Sequence, residues 1–282
     1  MNSRNLVSAT VAVVVALGLC LLDSPVAAPV ATAAAAAEPI VNIQVSDGEE
    51  LGPVRAMVDE LVRRGLRATL WVSRSDLTPE WQAYLKEIAG KGYEVGVKVD
   101  ADISKLSYEE QLSLAQPIAG AVTACTGKRP KGFRATSFTW NDASVDVADE
   151  LGFMYFMASV GSAPGEFDSI LYFPPKHGFG VFGVTRALYP DGASGILCDV
   201  PASKRMNSKE YLGLLCRVLD NCIATGKALV IEWHPASVTK PDPGNPWWQA
   251  FIGFLDYLES RRGDVWCATG EDLVVFGTAC DC

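Results

Sequence analysis

The stretch PIVNIQVSDG, residues 39–48, sets a pattern that the rest of the chain repeats. It is a short apolar run that ends in polar residues and a glycine, which is typical of a buried strand and the loop after it. An amphipathic helix is predicted next, with Gly65 as its stop. Its buried face comprises Val54, Met57, Val58, Leu61 and Val62. A second strand pattern, residues 67–73, then starts the next unit.

The same alternation continues to the end of the chain. Further strand patterns cover residues 93–99, 132–135, 153–158, 228–233 and 264–268. Helix starts are marked by Thr78, Ser107, Asn141, Asn207 and Asn245, and Pro117 is expected to kink the second of these helices. About seven β-then-α units predict a single distorted (β/α)7-type barrel, with parallel strands and outer helices. Residues 161–204, rich in Gly, Pro and aromatics, break the pattern, with short strands expected near 170–173 and 180–184.

Composition excludes several classes of protein. With 49% apolar and 20% charged residues, the 282-residue chain can bury a large core and is not a disordered chain. Its 24 basic and 33 acidic residues give a formal charge of −9. This charge argues against nucleic acids and anionic membrane surfaces as partners. The sequence contains neither a phosphate-cradling glycine loop nor a G-x-S-x-G nucleophile elbow, which disfavours a serine hydrolase.

The N-terminus has the features of an export signal. Arg4 precedes an apolar stretch, residues 6–22, and a run of small residues ends at Ala37. This arrangement predicts a signal peptide over 1–37, a domain over 38–282 and a secreted or extracytoplasmic protein of the cell envelope. An uncleaved membrane anchor is the alternative, because 17 apolar residues approach the length of a membrane span.

Seven cysteines follow the predicted signal peptide, and in an exported protein this number predicts disulfides with one thiol left over. Cys216 and Cys222 are six residues apart on a predicted helix, about 9 Å along its axis, which is too far for a bond. Cys267 can pair with Cys280 or Cys282. No C-x-x-C occurs, which disfavours a structural zinc site.

Catalytic groups of parallel barrels lie where strands end and loops begin. The polar residues at those positions are Ser46, Asp47, Lys98, Asp100, Asp102, Arg134 and His234. Trp233 and Trp247 are weaker candidates for stacking on a sugar, because large aromatic rings more often fill a core. His177 lies in a Pro-rich segment and is expected to be an exposed loop residue.

Several segments together resemble the polysaccharide deacetylases, the NodB-homology or carbohydrate esterase family 4 type. The segments are IQVSDGEE (43–50), RATLWVS (67–73), KGYEVGVKVDADISKLSYEE (91–110), GFRATS (132–137), ALVIEWHPAS (228–237) and DVWCATGEDL (264–273). The resemblance implies a distorted barrel whose active members remove N- or O-acetyl groups from sugars. They use a divalent metal held by one Asp and two His, a second Asp as base, a late His as acid and an Arg that orients the base.

When the family's catalytic residues are matched to this chain, several of them are replaced by residues of another type. The base corresponds to Ser46, and the metal-binding Asp corresponds to Asp47. The two metal-binding His correspond to Lys98 and Asp102. The orienting Arg and the acid His correspond to Arg134 and His234, but the proline expected after the Arg is absent, as is the family's D-x-x-D-W motif.

The substitutions remove the groups that the standard reaction needs. The chain has only two histidines, so two His ligands and an acid His cannot be supplied together. An ammonium has no lone pair for a metal, and the hydroxyl of Ser46 cannot serve as a carboxylate base. We therefore expect no standard metal cofactor.

Three functions remain open. The first is a deacetylase-like barrel that has lost catalysis and binds a glycan or cell-envelope polymer, with Lys98 paired to Asp47 or Asp102 in place of the metal. The second is a hydrolase of acetylated carbohydrate whose Asp47, Asp100 and Asp102 hold Mg²⁺ or Ca²⁺, with His234 as acid or base. The third is a non-catalytic interaction protein of the envelope.

Overall fold

The computed structural model describes residues 39–46, 50–158, 167–168, 171–172, 180–188, 194–203 and 206–280. The chain divides into two units, residues 1–36 and 37–282, and every described residue belongs to the second. The predicted signal peptide over 1–37 and its Ala37 cleavage site therefore lie outside the described residues.

Parallel strands form the centre of the second unit. In chain order, the described strands are β1 (Ile40–Ser46), β2 (Ala68–Val72), β3 (Glu94–Val99), β4 (Gly132–Ala135), β5 (Tyr155–Met157), β6 (Phe167–Asp168), β7 (Leu171–Tyr172), β8 (Gly180–Phe182), β9 (Arg186–Leu188), β10 (Ser194–Ile196), β11 (Leu229–Trp233) and β12 (Trp266–Cys267). Of these, β6, β9 and β10 form a separate antiparallel sheet. The main sheet has the order β11-β1-β2-β3-β4-β5-β8-β7, and β12 pairs with β1. Every pairing in it is parallel except β7 with β8. The predicted distorted barrel of parallel strands is confirmed as a curled sheet with surrounding helices.

Helices connect successive strands. They are α1 (Leu51–Arg63), α2 (Pro79–Gly90), α3 (Tyr108–Thr126), α4 (Asp142–Leu151), α5 (Val200–Ser203), α6 (Ser208–Thr225), α7 (Pro246–Ser260) and α8 (Gly270–Cys280). The predicted caps are present: the side chains of Ser107 and Asn207 each accept a hydrogen bond from the helix start and complete capping boxes. Pro117, where a kink is predicted, lies inside α3, and the helix continues through it without a break.

Alternation along the strands divides the core into two clusters. One face of the sheet packs against the helices through residues such as Ile43, Val97 and Phe251. The other face packs inward around Trp71, Tyr155 and other buried side chains. Because successive strand residues point to opposite faces, polar side chains that share the inward face lie inside the curled sheet. This inward face positions the candidate site.

Two further expectations concern cysteines and membranes. In the described part of the chain, Cys125, Cys198, Cys216, Cys222 and Cys267 are free thiols. The bond from Cys267 to a C-terminal cysteine stays a prediction. Cys282 and the side chain of Cys280 lie outside the description. Within the described ranges, no helix combines the length and the apolar character needed to span a bilayer.

Gly132 lies where two large rings leave no room for a side chain. A Cβ built there would overlap the hydroxyl of Tyr155 and lie 2.8 Å from a ring carbon of Trp71. Both rings are fully buried. We expect Gly132→Ala to lower the free energy of unfolding by about 1–3 kcal/mol, since overpacking displaces rings that have nowhere to move. Urea denaturation measures the change.

The matched control is Gly90→Ala at the end of α2, where a Cβ meets nothing within 4 Å. That change should be neutral or stabilising by up to about 1 kcal/mol, because alanine loses less backbone entropy on folding. Equal effects of the two substitutions would contradict the crowding argument.

Candidate functional site

A cavity of about 250 Å³ lies where the carboxyl ends of β1, β3, β4 and β11 meet. This is the end of the sheet at which parallel barrels carry their chemistry. The lining residues are Ser46, Lys98, Arg134, Thr136, Ser137, Phe138, Cys198, Asp199, Glu232 and His234. Four of the residues predicted from sequence are thus brought together: Ser46, Lys98, Arg134 and His234.

The guanidinium of Arg134 connects three strands. Its Nη1 donates to Glu232 Oε1 at 2.5 Å, and its Nη2 donates to Ser46 Oγ at 3.0 Å. Arg134 and Glu232 are only 5% and 1% exposed, so water cannot replace either partner. In such a place each charge is tolerated only because the other is present. The hydroxyl at the family's base position therefore accepts a hydrogen bond from an arginine.

A short irregular turn after β4 covers this arginine. The Cζ of Arg134 lies 4.9 Å from the centre of the Phe138 ring and 5.6 Å from that of Trp71. Ser137 and Phe138 both have left-handed backbones, with φ of 58° and 56°. Such conformations cost about 1–3 kcal/mol each for residues other than glycine. This backbone conformation places the Phe138 ring over the guanidinium, and the face of the ring attracts the cation.

His234 follows β11 and faces the same cavity. Its Nδ1 lies 2.8 Å from the backbone carbonyl oxygen of Ser46. Because a carbonyl only accepts, Nδ1 carries a proton in this contact. The second ring nitrogen, Nε2, lies 3.9 Å from Glu232 Oε2. In the neutral ring the contact with Ser46 therefore places the lone pair on Nε2.

Lys98 lies beside Arg134 in the strand register and brings a second cation to the cavity. Its Nζ lies 3.0 Å from Asp100 Oδ1, and its side chain is 14% exposed. Within the described residues Lys98 thus pairs with Asp100 and not with Asp102, whereas Asp47, the other predicted partner, lies outside them. Residues two apart at a strand end share one side of the chain, which explains this choice.

Asp102 lies away from the cavity. Its Oδ1 accepts hydrogen bonds from the backbone N–H and the hydroxyl of Ser104, and these bonds hold its pKa below the ordinary value. The side chain of Asp100 is about half exposed and forms an ion pair with Lys98. Among the described residues neither belongs to a group of metal donors. The carboxylate site proposed from Asp47, Asp100 and Asp102 also requires Asp47 and therefore stays a prediction. Asp47 and His177 lie outside the described residues.

The residues at the family's metal positions do not fit a divalent ion. Where the family has two histidines, this chain has an ammonium paired with a carboxylate and an exposed aspartate outside the cavity. A lysine ammonium repels a cation and offers it no lone pair. No step of metal-assisted deacetylation can therefore be derived for these residues.

A different donor group lies in the same cavity. The ligand atoms of Cys198, Glu232 and His234 all lie within 4.8 Å of one another. Cys198 is buried, and burial raises the pKa of its thiol well above the ordinary value, with the carboxylates of Glu232 and Asp199 adding to the shift. In the absence of a bound cation, the sulfur is therefore a neutral thiol near pH 7.

The two tryptophans proposed for sugar stacking lie in other surroundings. Trp233 is 2% exposed and packs at 4.9 Å between ring centres against Phe251. Trp247 is half-buried and packs against Tyr211 at 5.8 Å. Neither lines the cavity. The alternative that these rings fill the core is confirmed for Trp233.

Two residues of the cavity, Glu232 and Cys198, were not predicted from the sequence. Glu232 carries a signal that could have been used: it is two residues before His234, and alternation places both on the inward face of β11. Cys198 lies in the segment 161–204, where no periodic pattern indicates which side chains point inward.

A second, larger cavity of about 480 Å³ lies at the opposite, amino end of the strands. Its charged lining residues are Arg67, Glu94, Lys128, Arg129, Lys131 and Glu271. Its larger volume favours this cavity as the functional site. Its position favours the smaller cavity instead, because residues at the amino ends of barrel strands more often serve stability. Glu94, a buried carboxyl group at this end of β3, illustrates this role.

Comparisons with known proteins support a deacetylase-like fold. A sequence model described as polysaccharide deacetylase matches residues 36–156, which is less than half of the chain. No curated protein matches the chain by sequence.

Several solved structures share the fold. A "probable Polysaccharide deacetylase" from Pseudomonas aeruginosa PAO1 is 14% identical with a TM-score of 0.63, covering 84% of this chain and 90% of that one. The Puue allantoinase is 14% identical with a TM-score of 0.63, covering 85% and 90%. A family 4 acetyl xylan esterase from Clostridium thermocellum is 14% identical with a TM-score of 0.52, covering 83% and 89%. At such identities the likeness establishes the fold.

Proposed function

We propose that the chain is a polysaccharide-deacetylase-like protein of the NodB type with substituted motifs, and that it binds carbohydrate without the family's standard metal-dependent deacetylation. The observation that carries the proposal is the state of the first-strand motif. Ser46 stands where the family has its base, and its hydroxyl accepts a hydrogen bond from Arg134. A hydroxyl held in this way cannot take a proton from water at neutral pH.

The cationic groups support the same conclusion. Lys98 occupies one of the two histidine positions and pairs with Asp100, next to Arg134 in the neighbouring strand. The ammonium and the guanidinium supply N–H donors, and the turn after β4 adds the hydroxyls of Thr136 and Ser137 to the cavity. Together with the carboxylates of Asp199 and Glu232, these donors give the cavity a mixed polar lining, which suits a ligand rich in hydroxyl and carbonyl oxygens, such as an acetylated sugar.

The proposed location in the cell rests on the N-terminal sequence alone. The basic start, the apolar stretch and the small-residue end support export of the domain to the cell envelope. We propose a polymer of that compartment as the ligand. The first alternative is a hydrolase with a remodelled carboxylate site, and the second is a non-catalytic interaction protein of the envelope.

The experiment compares turnover with binding on one ligand. We expect no acetate release from acetylated chitooligosaccharide, with or without added Zn²⁺ or Co²⁺, and measurable binding of the same oligosaccharide by calorimetry. Lys98→Met should weaken binding about tenfold or more, since a hydrogen bond from a charged group contributes about 1.5–3 kcal/mol.

Lys128→Met, at the opposite end of the strands, is the matched control and should leave binding unchanged. Chelator-sensitive acetate release would overturn the loss of catalysis. Equal affinities of the two lysine variants would remove the carboxyl-end cavity as the binding site.

A further inference from the structure

We propose that Cys198, Glu232 and His234 form a binding site for a divalent transition ion of the zinc and cobalt class. The donor set is one sulfur, one carboxylate oxygen and one imidazole nitrogen, and it shares no residue with the positions at which the family holds its metal. The proposal is independent of glycan binding, and its test is separate from that of the proposed function.

The spacing of the three donors fits a tetrahedral ion after a small contraction. Zinc bonds of about 2.0–2.3 Å place neighbouring tetrahedral ligands about 3.3–3.8 Å apart. Nε2 of His234 and Oε2 of Glu232 are 3.9 Å apart, and the whole group including Sγ of Cys198 lies within 4.8 Å. Side-chain shifts of less than about 1 Å therefore close the site.

The carboxylate of Glu232 provides a second, independent observation that supports a cation at this position. The residue is 1% exposed. Its Oε1 accepts a hydrogen bond from Arg134, whereas its Oε2 has no hydrogen-bond partner within the described ranges. A buried carboxylate oxygen without a partner costs free energy of desolvation, and such an oxygen needs a donor or a cation. Its position facing Nε2 of His234 aims it into the cluster.

His234 is already oriented as metal-binding imidazoles are. Metal-bound histidines donate their other ring N–H to a carbonyl or carboxylate, which fixes the ring and the tautomer. Here Nδ1 makes that contact with the Ser46 carbonyl oxygen, so the coordinating lone pair of the neutral ring lies on Nε2, toward the carboxylate.

Charge balance is compatible with a divalent ion. On binding, the sulfur–metal bond forms as the thiol proton of Cys198 passes to water, so that one thiolate and one carboxylate neutralise the ion. Of the two cations in the cavity, Arg134 contacts Glu232 Oε1 and Lys98 is paired with Asp100, while Asp199, whose Oδ1 lies 3.9 Å from Sγ of Cys198, adds a further negative charge. All of these groups line the cavity, which leaves room for a further ligand on its open side.

Cobalt spectroscopy on the full chain tests the proposal, because a cobalt–thiolate bond produces a near-ultraviolet charge-transfer band that oxygen and nitrogen ligands do not. We expect one equivalent of Co²⁺ to bind and to give this band, and one equivalent of Zn²⁺ to abolish it. Cys198→Ser should remove the band, and His234→Gln should weaken Co²⁺ binding at least tenfold.

Two controls identify the sulfur. Cys125→Ser changes a half-buried thiol on α3, and the double variant Cys280→Ser with Cys282→Ser removes the C-terminal thiols; both should keep the band. A band that persists in Cys198→Ser or disappears in either control would overturn the assignment, as would failure of the wild-type chain to bind Co²⁺. Circular dichroism of each variant verifies that it is folded.

Discussion

Replacing Arg134 with Met should lower the free energy of unfolding by about 3–5 kcal/mol, because Glu232 would then be a buried charge with no partner. The pair is 2.5 Å apart between Nη1 and Oε1, and both side chains are nearly inaccessible to water. The substitution also removes the cation beneath the Phe138 ring. Urea denaturation at pH 7 measures the loss.

The double variant Arg134→Met with Glu232→Met separates charge from packing. Since it removes both charges and keeps apolar volume, it should recover most of the lost stability. Arg63→Met provides a second comparison, because Arg63 pairs with Glu60 at 2.6 Å on an exposed surface and its loss should change stability little. If the double variant is as unstable as Arg134→Met alone, the loss reflects packing around the arginine and not the unpaired carboxylate.

The main sheet was predictable because its strands and helices keep regular periods. The run over residues 39–45 became β1, and the Asn207 cap became the first boundary of α6. Glycine stops also held: α6 ends at Gly226, which adopts the left-handed conformation that a helix end favours. Local pattern decides these elements, so one sequence is enough to find them.

Elements held by distant contacts were harder to predict. The small sheet β10-β9-β6 consists of strands of two or three residues, which are too short to show a period. Helix α8 was not predicted, because its apolar residues and its position depend on the inward-facing cluster that includes Leu273 and Val274. Tertiary packing, and not propensity, determines both.

The candidate site likewise contains residues that local pattern could place and residues that it could not. Position at strand ends correctly brought Ser46, Lys98, Arg134 and His234 to one cavity. Asp102 lies two residues further along its loop, where the turn with Ser104 directs it to solvent. A linear match to a motif does not specify the path of a loop, and here Asp102 does not line the cavity.

Raising the pH from 5 to 8 should reduce the free energy of unfolding by about 3 kcal/mol through Glu94 alone. Glu94 is buried at the amino end of β3, where it accepts hydrogen bonds from Tyr155 and Thr69 and from the backbone N–H of Glu271. Burial raises its pKa from 4.5 to about 7, although these hydrogen bonds oppose the shift. The folded state therefore holds the proton more tightly than the unfolded state, so this stabilisation is complete below pH 4.5 and is lost as the pH rises through 7.

Other groups titrate in the same range, so the informative quantity is the difference between the wild type and Glu94→Gln at each pH. The variant carries no titrating group at this position, and its stability relative to the wild type should rise by about 3 kcal/mol from pH 5 to pH 8, even if its absolute stability is lower. Glu87→Gln is the control, since Glu87 is an exposed carboxylate whose pKa is lowered by Lys91 and which stays ionised throughout this range. Parallel profiles for the wild type and Glu94→Gln would mean that Glu94 is ionised in the folded protein, with its charge balanced by Tyr155, Thr69 and the start of α8.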